Sequence, residues 1–464
     1  MTIETEFLVV GGGAAGLAAS RAALRRGKRV LLASSTPLGG DCTFHGCVPS
    51  KTLLASSRQG LSFTESLQSV RRMVEKIAST EDESVLRSEG ATVMLGDVQM
   101  TSTHTAVIAG ESVRFDRAVI ATGSSASLPP IPGLNEVQPL TNETIFDLTE
   151  APHSLTIIGG GPMGCELAQA FAHLGVAVTI LEGSDRLLGR EEPEASELIH
   201  KILTEEGISI QLNATIHRVS PGENGDVTIS FSQFTTDRAP RSLSTTKLLV
   251  AAGRRARSTG FGLEDIGVRL DSRGFVLTND YLRTNQPSIF AAGDVTGRML
   301  LTHAGDEMGR IAAHNAFSAN LQFKRFSPRA IPWATYTSPE VARVGLSETE
   351  AAAHGGRVAY LPLEAIDRAK ITGATAGFIK IITGPIGPLR YLGGGRVIGA
   401  TIVAPHAGEM IHELALAVQT RMFAGRLAQT VHAYPTLSIG IRSAVAQFFY
   451  AEGGQRCRPA ENNK

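Results

Sequence analysis

Two stretches of this chain follow the pattern G-x-G-x-x-G, and each lies between a short apolar run and a helical one. Gly11, Gly13 and Gly16 follow the apolar residues 7–10 and precede an alanine-rich stretch ending at Arg26, after which residues 30–32 are apolar again. Gly159, Gly161 and Gly164 follow residues 155–158 and precede a helical stretch, 166–174, and another apolar run, 178–181. Short apolar runs bounded by turn residues read as buried parallel strands, so each stretch is a βαβ unit with a glycine turn at its first crossing. Such a turn aims the N–H groups of a helix N-terminus at a pyrophosphate. The first glycine makes the turn, the second admits a phosphate close to the backbone, and the third lets helix pack on strand. One such loop is weak evidence. Two, in the same context, predict an α/β protein with two Rossmann-like dinucleotide-binding domains.

The ends of the second strands distinguish the two units. Glu182 stands where a carboxylate bonds a ribose 2′-hydroxyl and repels a 2′-phosphate, so the second loop is expected to take NADH. Arg186, nearby, keeps NADPH as the alternative. The first unit has Ala33-Ser34 at this place, and the Ser34 hydroxyl is its candidate ribose contact.

A chain of 464 residues is long for one core. The expected division is a first dinucleotide domain over 1–150 and 279–325, a second over 151–278, an α+β domain over 326–450 and a disordered tail over 451–464. Lys+Arg and Asp+Glu both number 44, so no electrostatic pull toward nucleic acid or membrane is expected. The N-terminus, MTIETEFLVV, does not read as a signal peptide, and no apolar run reaches the roughly 18–20 residues of a membrane span. Only four cysteines occur, two of them in one short motif, which points to a cytoplasmic protein whose thiols do chemistry.

That motif is LGGDCTFHGCVPSK, residues 38–51. Residues five apart on an ideal helix have Cα atoms separated by roughly 8–9 Å, whereas a disulfide wants under about 7 Å. Cys42 and Cys47 can therefore bond only where the backbone leaves the helix, and Gly39, Gly40 and Gly46 make that feasible. A helix N-terminus and Lys51 would both favour a thiolate. A zinc site would need two more ligands, and Cys165 and Cys457 lie in unrelated contexts. A redox couple is favoured over buried structural thiols or a metal site.

With these residues in view, the chain resembles the flavoprotein disulfide reductases, from residue 7 to about residue 450. The resemblance implies FAD in the first unit, NAD(P)H in the second and a C-terminal dimerisation domain. It implies that Cys47 faces the flavin as the charge-transfer thiolate and that Cys42 exchanges with substrate. Lys51 would lie by the flavin and pair with Glu166. Around FAD it places Gly11, Gly13, Ala14, Ala15, Gly16, Ser34, Gly40, Lys51, Gly96, Ala121, Thr122, Gly123, Asp294 and Thr302. Around the nucleotide it places Gly159, Gly161, Pro162, Met163, Gly164, Glu182 and Gly253. The implied assembly is a homodimer whose active site the partner subunit completes.

The departures concern the acceptor. Lipoamide and glutathione reductases carry H-P-T near the C-terminus, usually with a glutamate five residues after the histidine. Here the stretch is HAYPTLSIG, with Tyr434 and Ile439 at those places and His432 two residues upstream. Tyrosine's reference pKa exceeds histidine's by about 3.5 units, so it is a poor proton shuttle near neutrality. The mercuric-reductase-like branch carries a tyrosine here, and GGGPMGCELAQAF is similar to it as well. That branch ends in a vicinal cysteine pair, whereas this chain has Cys457 alone, read as an incidental tail thiol. The expected activity is therefore electron transfer from NAD(P)H through FAD and Cys42–Cys47 to an acceptor, a metal ion foremost. A dihydrolipoyl dehydrogenase or other small-disulfide or quinone reductase is the alternative, and a flavin redox sensor the non-enzyme one.

Overall fold

The computed structural model describes residues 2–233, 240–452 and 454–462. The chain forms two compact units: Met1–Pro130, Gln138–Pro152 and Leu249–Pro328 make the first, and Ile131–Val137, His153–Leu248 and Arg329–Lys464 the second.

In the first unit, strand Ile3–Val10 is central. It runs parallel to Val30–Ser34 on one side and Glu111–Ile120 on the other, with Phe7 opposite Val30 and Arg117. Phe7, Leu8 and Val9 have no exposed surface, because a parallel strand covered on both faces must be apolar throughout. Thr92–Leu95 extends the sheet beyond Val30–Ser34, and Ile289–Ala291 joins it beside Glu111–Ile120. Helix Ala14–Leu24 packs against helix Thr302–Ala316, close enough that a Cβ on Gly309 would collide with the Ala15 backbone.

The second unit repeats the motif. Ser154–Ile158, Ala177–Leu181 and Ser209–Gln211 are parallel neighbours, with helix Pro162–His173 between the first two. A further sheet of this unit is antiparallel, with Trp333–Thr335, Glu340–Gly345, Arg396–Ala404, Phe378–Gly384 and Arg357–Pro362 in that order. Helices Ala407–Gln419 and Ile439–Ala446 cover one face through Ile411, Leu414, Ile441 and Val445.

The expectation of a disordered tail needs correction over its described residues. Arg458–Pro459 pairs antiparallel with Arg357 and Val358, as a sixth strand at the sheet edge. The edge supplies unpaired backbone groups, and a buried charge supplies the anchor. Arg458 donates to Glu348, a carboxylate 1% exposed that also accepts from the fully buried Lys380. Cys457 packs, partly buried, against the adjoining core. Among the described residues, no helix is long and apolar enough to cross a membrane.

Candidate active site

The two glycine loops fold alike. Gly11 and Gly159 have φ of 115° and 112°, a conformation that strains any residue with a Cβ. A Cβ on Gly16 would fall on the carbonyl of Gly11, and one on Gly164 on the carbonyl of Gly159. Gly13 and Gly161 cap helices Ala14–Leu24 and Pro162–His173 without a side chain, leaving first-turn N–H groups directed outward. The strand-end residues also correspond. Ser34 and Leu38 fill the space beside Gly12, as Glu182 and Leu187 fill that beside Gly160. Glu182 accepts from Gly160 N–H at 2.5 Å and from Ser184 N–H at 2.7 Å. Ser34 donates to the Thr36 carbonyl at 2.7 Å, and its own carbonyl accepts from Gly96 N–H at 2.8 Å.

The first loop touches the cysteine motif. Gly39 N–H donates to the Gly12 carbonyl at 2.9 Å, and a Cβ on Gly40 would lie 2.7 Å from Gly13 Cα. The motif forms two helices, Gly40–Phe44 and Cys47–Arg58, broken at His45 and Gly46, where φ is −136° and −119°. This is the break that pairing at this spacing requires.

Cys42 is partly buried and Cys47 exposed. A hydrogen bond with Cys47, followed by burial, pushes the pKa of Cys42 well up. Cys47 opens helix Cys47–Arg58, and its Sγ lies 3.8 Å from the hydroxyl of Thr302, which opens helix Thr302–Ala316. Two helix N-termini thus face one sulfur, and both favour an anion. Lys51 follows in the next turn of the same helix.

Around the thiols the first unit assembles further candidates. Ala121 N–H donates to the Val10 carbonyl at 2.7 Å, Thr122 donates to the Arg257 carbonyl at 2.5 Å, and the Gly123 carbonyl accepts from Arg257 N–H at 3.0 Å. The Gly253 carbonyl accepts from Ser127 N–H at 3.0 Å. Asp294 accepts from Ser124 at 2.6 Å. Its pKa is raised, because burial outweighs Ser124 and Arg254. Arg254 lies between two carboxylates, 2.7 Å from Asp41 and 3.6 Å from Asp294. Sequence reasoning passed over Asp41, Ser124 and Arg254, although Asp41 adjoins Cys42 and Arg254 follows Gly253 in AAGRRAR.

Residues 5–309 match the family model for pyridine nucleotide-disulphide oxidoreductases, and residues 331–445 match the model for their dimerisation domain. The chain belongs to the pyridine nucleotide-disulphide oxidoreductase family. Mercuric reductase of Bacillus cereus is 32% identical over 464 residues, covering 96% of this chain and 72% of that protein. Dihydrolipoyl dehydrogenase of Geobacillus stearothermophilus is also 32% identical, covering 94% of each. Among solved structures, the Cu(II) complex of the HOCl-induced flavoprotein disulfide reductase RclA from Escherichia coli superposes with a TM-score of 0.85. It is 26% identical and covers 96% of this chain and 99% of its own. This family uses FAD and NAD(P)H, and its dimerisation domain indicates a homodimer.

The second unit carries the remaining candidates of this oxidoreductase. Helix Pro162–His173 begins with Pro162 and Met163 and buries Glu166, which accepts from Tyr336 N–H at 2.9 Å. Cys165 donates to the Gly160 carbonyl at 3.3 Å and has its pKa driven up by burial, the environment of a packing residue. Tyr434 is exposed and donates its phenol proton to Asp367 at 3.1 Å, which raises the phenol's pKa. His432 is held at both ring nitrogens: Nε2 lies 3.1 Å from Glu413 and Nδ1 3.1 Å from the Thr430 carbonyl. Asp367 and Glu413, 67 and 19 residues from their partners, had no signal in the sequence.

Proposed function

We propose that this oxidoreductase passes electrons from NADH through Cys42 and Cys47 to a thiophilic metal ion. The residues present suit both cofactors. In each loop a Cβ would close the glycine cradle, and the carboxylate sits only beside the second one. We propose that Gly11–Gly16, Ser34, Gly40, Gly96, Ala121–Gly123, Gly253, Asp294 and Thr302 hold FAD, and that Gly159–Gly164 with Glu182 hold NADH. When bound, FAD takes a hydride equivalent from the nicotinamide and delivers two electrons at the thiol pair. In this reading Cys47 would carry the thiolate, Lys51 would favour it as a nearby cation, and Cys42 would exchange with the acceptor. Residues 331–445 supply a dimer in which Tyr434 completes the partner's site.

The commitment of Tyr434 and His432 to neighbouring acceptors supports this choice of acceptor. Breaking a dialkyl disulfide needs a proton for each departing thiolate, whose pKa near 8.5 makes it a moderately poor leaving group. A thiolate-bound metal ion is reduced without a proton for a departing thiolate, by two electrons for Hg(II) and by one for each Cu(II). With both loop side chains bonded to neighbours in their own subunit, metal reduction loses little and disulfide reduction loses its acid. A mercuric reductase and a Cu(II)-bound disulfide reductase among the similar proteins favour the same acceptor class.

Steady-state oxidation of NADH and NADPH against Hg(II), Cu(II), lipoamide, glutathione disulfide and a quinone tests this. Metal-dependent turnover is expected, with disulfides slower than in a histidine-bearing relative by at least about 10²-fold, the lower end of a general acid's contribution. Lipoamide turnover at ordinary dehydrogenase rates would instead establish the dihydrolipoyl dehydrogenase reading, which relatives at equal identity also support.

A further inference from the structure

Helix Gly40–Phe44, which carries Cys42, cannot hold itself. It is five residues long, lacks a side-chain cap and starts beside Gly39 and Gly40, whose φ are 113° and 65°. A helix this short falls far below the length that is stable in isolation, so its position is set by what grips it. We propose that Asn142, acting through Asp41 and Arg254, is the positioning residue that fixes Cys42 against Cys47. This rests on the reading that these two cysteines are the redox couple.

Asn142 is 3% exposed and grips both ends of the helix. Its Nδ2 lies 3.3 and 3.4 Å from the two carboxylate oxygens of Asp41 and donates to the His45 carbonyl at 3.2 Å. Asp41 is the second residue of the helix, and His45 follows its last. Arg254 closes the opposite side, 2.7 Å from Asp41 and 2.7 Å from the Ser124 hydroxyl, which in turn donates to Asp294. The carboxylate next to Cys42 is thereby both tethered and compensated. Asn142 lies 101 residues from Asp41 in sequence, and it joins the Arg254–Asp41 pair and the Thr43–Glu81 hydrogen bond in holding the helix. Misplacing a reacting group by about 1 Å costs about 10²-fold in rate, so the clamp bears directly on exchange at Cys42.

Asn142→Asp is the decisive variant. It is isosteric, yet it turns a carboxylate onto Asp41 and onto the His45 carbonyl. Three quantities are measured on the holoenzyme: flavin content, kcat and KM with a metal acceptor, and the pH profile of Cys42 alkylation after reduction by NADH. The expected result is full flavin content, an unchanged KM for NADH, kcat lower by about 10²-fold and an alkylation profile moved to higher pH by the added charge. Asn142→Ala, which removes the donor without adding charge, should fall between this variant and wild type. The reciprocal exchange, Asn142→Asp with Asp41→Asn, restores the amide–carboxylate contact but neither the donation to His45 nor the Arg254 pair, and should recover part of the loss. Wild-type kcat and alkylation profile in Asn142→Asp would overturn the clamp, as would loss of flavin from that variant or failure of the exchange to recover activity. Failure of the underlying reading shows separately, as undiminished turnover in Cys42→Ser.

Discussion

Glu182→Ala should weaken both nucleotides, contrary to what a ribose contact alone implies. If Glu182 only bonded the ribose and repelled a 2′-phosphate, alanine would weaken NADH and improve NADPH. In the structure both carboxylate oxygens already serve the loop, accepting from Gly160 N–H at 2.5 Å and Ser184 N–H at 2.7 Å. Alanine leaves both donors without that acceptor. Ser184 is exposed, so water replaces its partner at small cost, whereas Gly160 is buried, at the turn proposed to receive the pyrophosphate. A hydrogen bond to a charged group contributes about 1.5–3 kcal/mol, so its loss at Gly160 should lower affinity for either nucleotide about 10- to 150-fold. NADH loses a ribose contact besides, while relief of repulsion returns part of the loss to NADPH. Glu182→Gln separates these effects, because its amide oxygen can still accept from Gly160 while the charge is gone. NADPH kcat/KM is therefore expected to rank Gln above wild type and Ala below it, and NADH kcat/KM to be highest in wild type and lowest in Ala. Titrating both nucleotides into the oxidised variants gives the same order as Kd. If Glu182→Ala binds NADPH as well as Glu182→Gln does, the loop-support role is refuted.

Four further outcomes follow from the geometry. Gly16→Ala should purify with little FAD, whereas Gly164→Ala should keep its flavin but resist reduction by NADH, since each Cβ meets a carbonyl in its own loop; flavin content and anaerobic NADH titration distinguish them. Cys47→Ser should lose the long-wavelength absorbance of the two-electron-reduced enzyme while Cys42→Ser shows it unreduced, and spectra that neither change affects would uncouple the thiols from the flavin. Lys380 is fully buried and bonds Glu192, Glu194 and Glu348 at 3.1, 2.6 and 2.9 Å, so Lys380→Met should cost about 3–5 kcal/mol, read as a melting point lower by about 6–20 °C. At Glu348 burial raises the pKa, but Arg458, Lys380 and Glu461 N–H outweigh it and hold it below the ordinary 4.5. Its contribution is thus complete above pH 4.5 and lost as pH falls through the lowered value; Arg458→Met should move that acid loss to higher pH in pH-dependent melting.

How much could be read beforehand depended on the range of the interactions. The glycine loops, the strand-end Glu182 and the cysteine spacing are local constraints, and each places its chemistry within one strand–turn–helix unit. The break at His45 and Gly46 was legible because disulfide geometry demands it and glycine permits it. The grip on Cys42 was not, because Asn142, Arg254 and Asp41 meet only when segments far apart in the chain have folded. Asp367 and Glu413 escaped notice for the same reason, although Asp367 decides where the Tyr434 proton points and Glu413 is what His432 faces.

The C-terminal segment shows how a composition that reads as a tail acquires a fixed place. GGQRCRPAENNK has no periodicity and little apolar content, so nothing local specifies it. What specifies it is an electrostatic imbalance elsewhere: Glu192, Glu194 and Glu348 converge on the buried cation Lys380. Arg458 brings a second cation to Glu348 while its backbone pairs with the open edge at Val358. Releasing the segment would leave three carboxylates to one lysine and uncover the edge, so the strand is held at both backbone and side chain. Cys457 lies within that held segment, its N–H bonded to the Gln447 carbonyl at 3.1 Å and its side chain against the core. A thiol handing a metal to a distant site has to move, and this one is tied at the neighbouring residue. The metal-acceptor reading therefore needs delivery straight to Cys42, and Cys457→Ser should leave metal turnover unchanged at saturating and limiting metal alike.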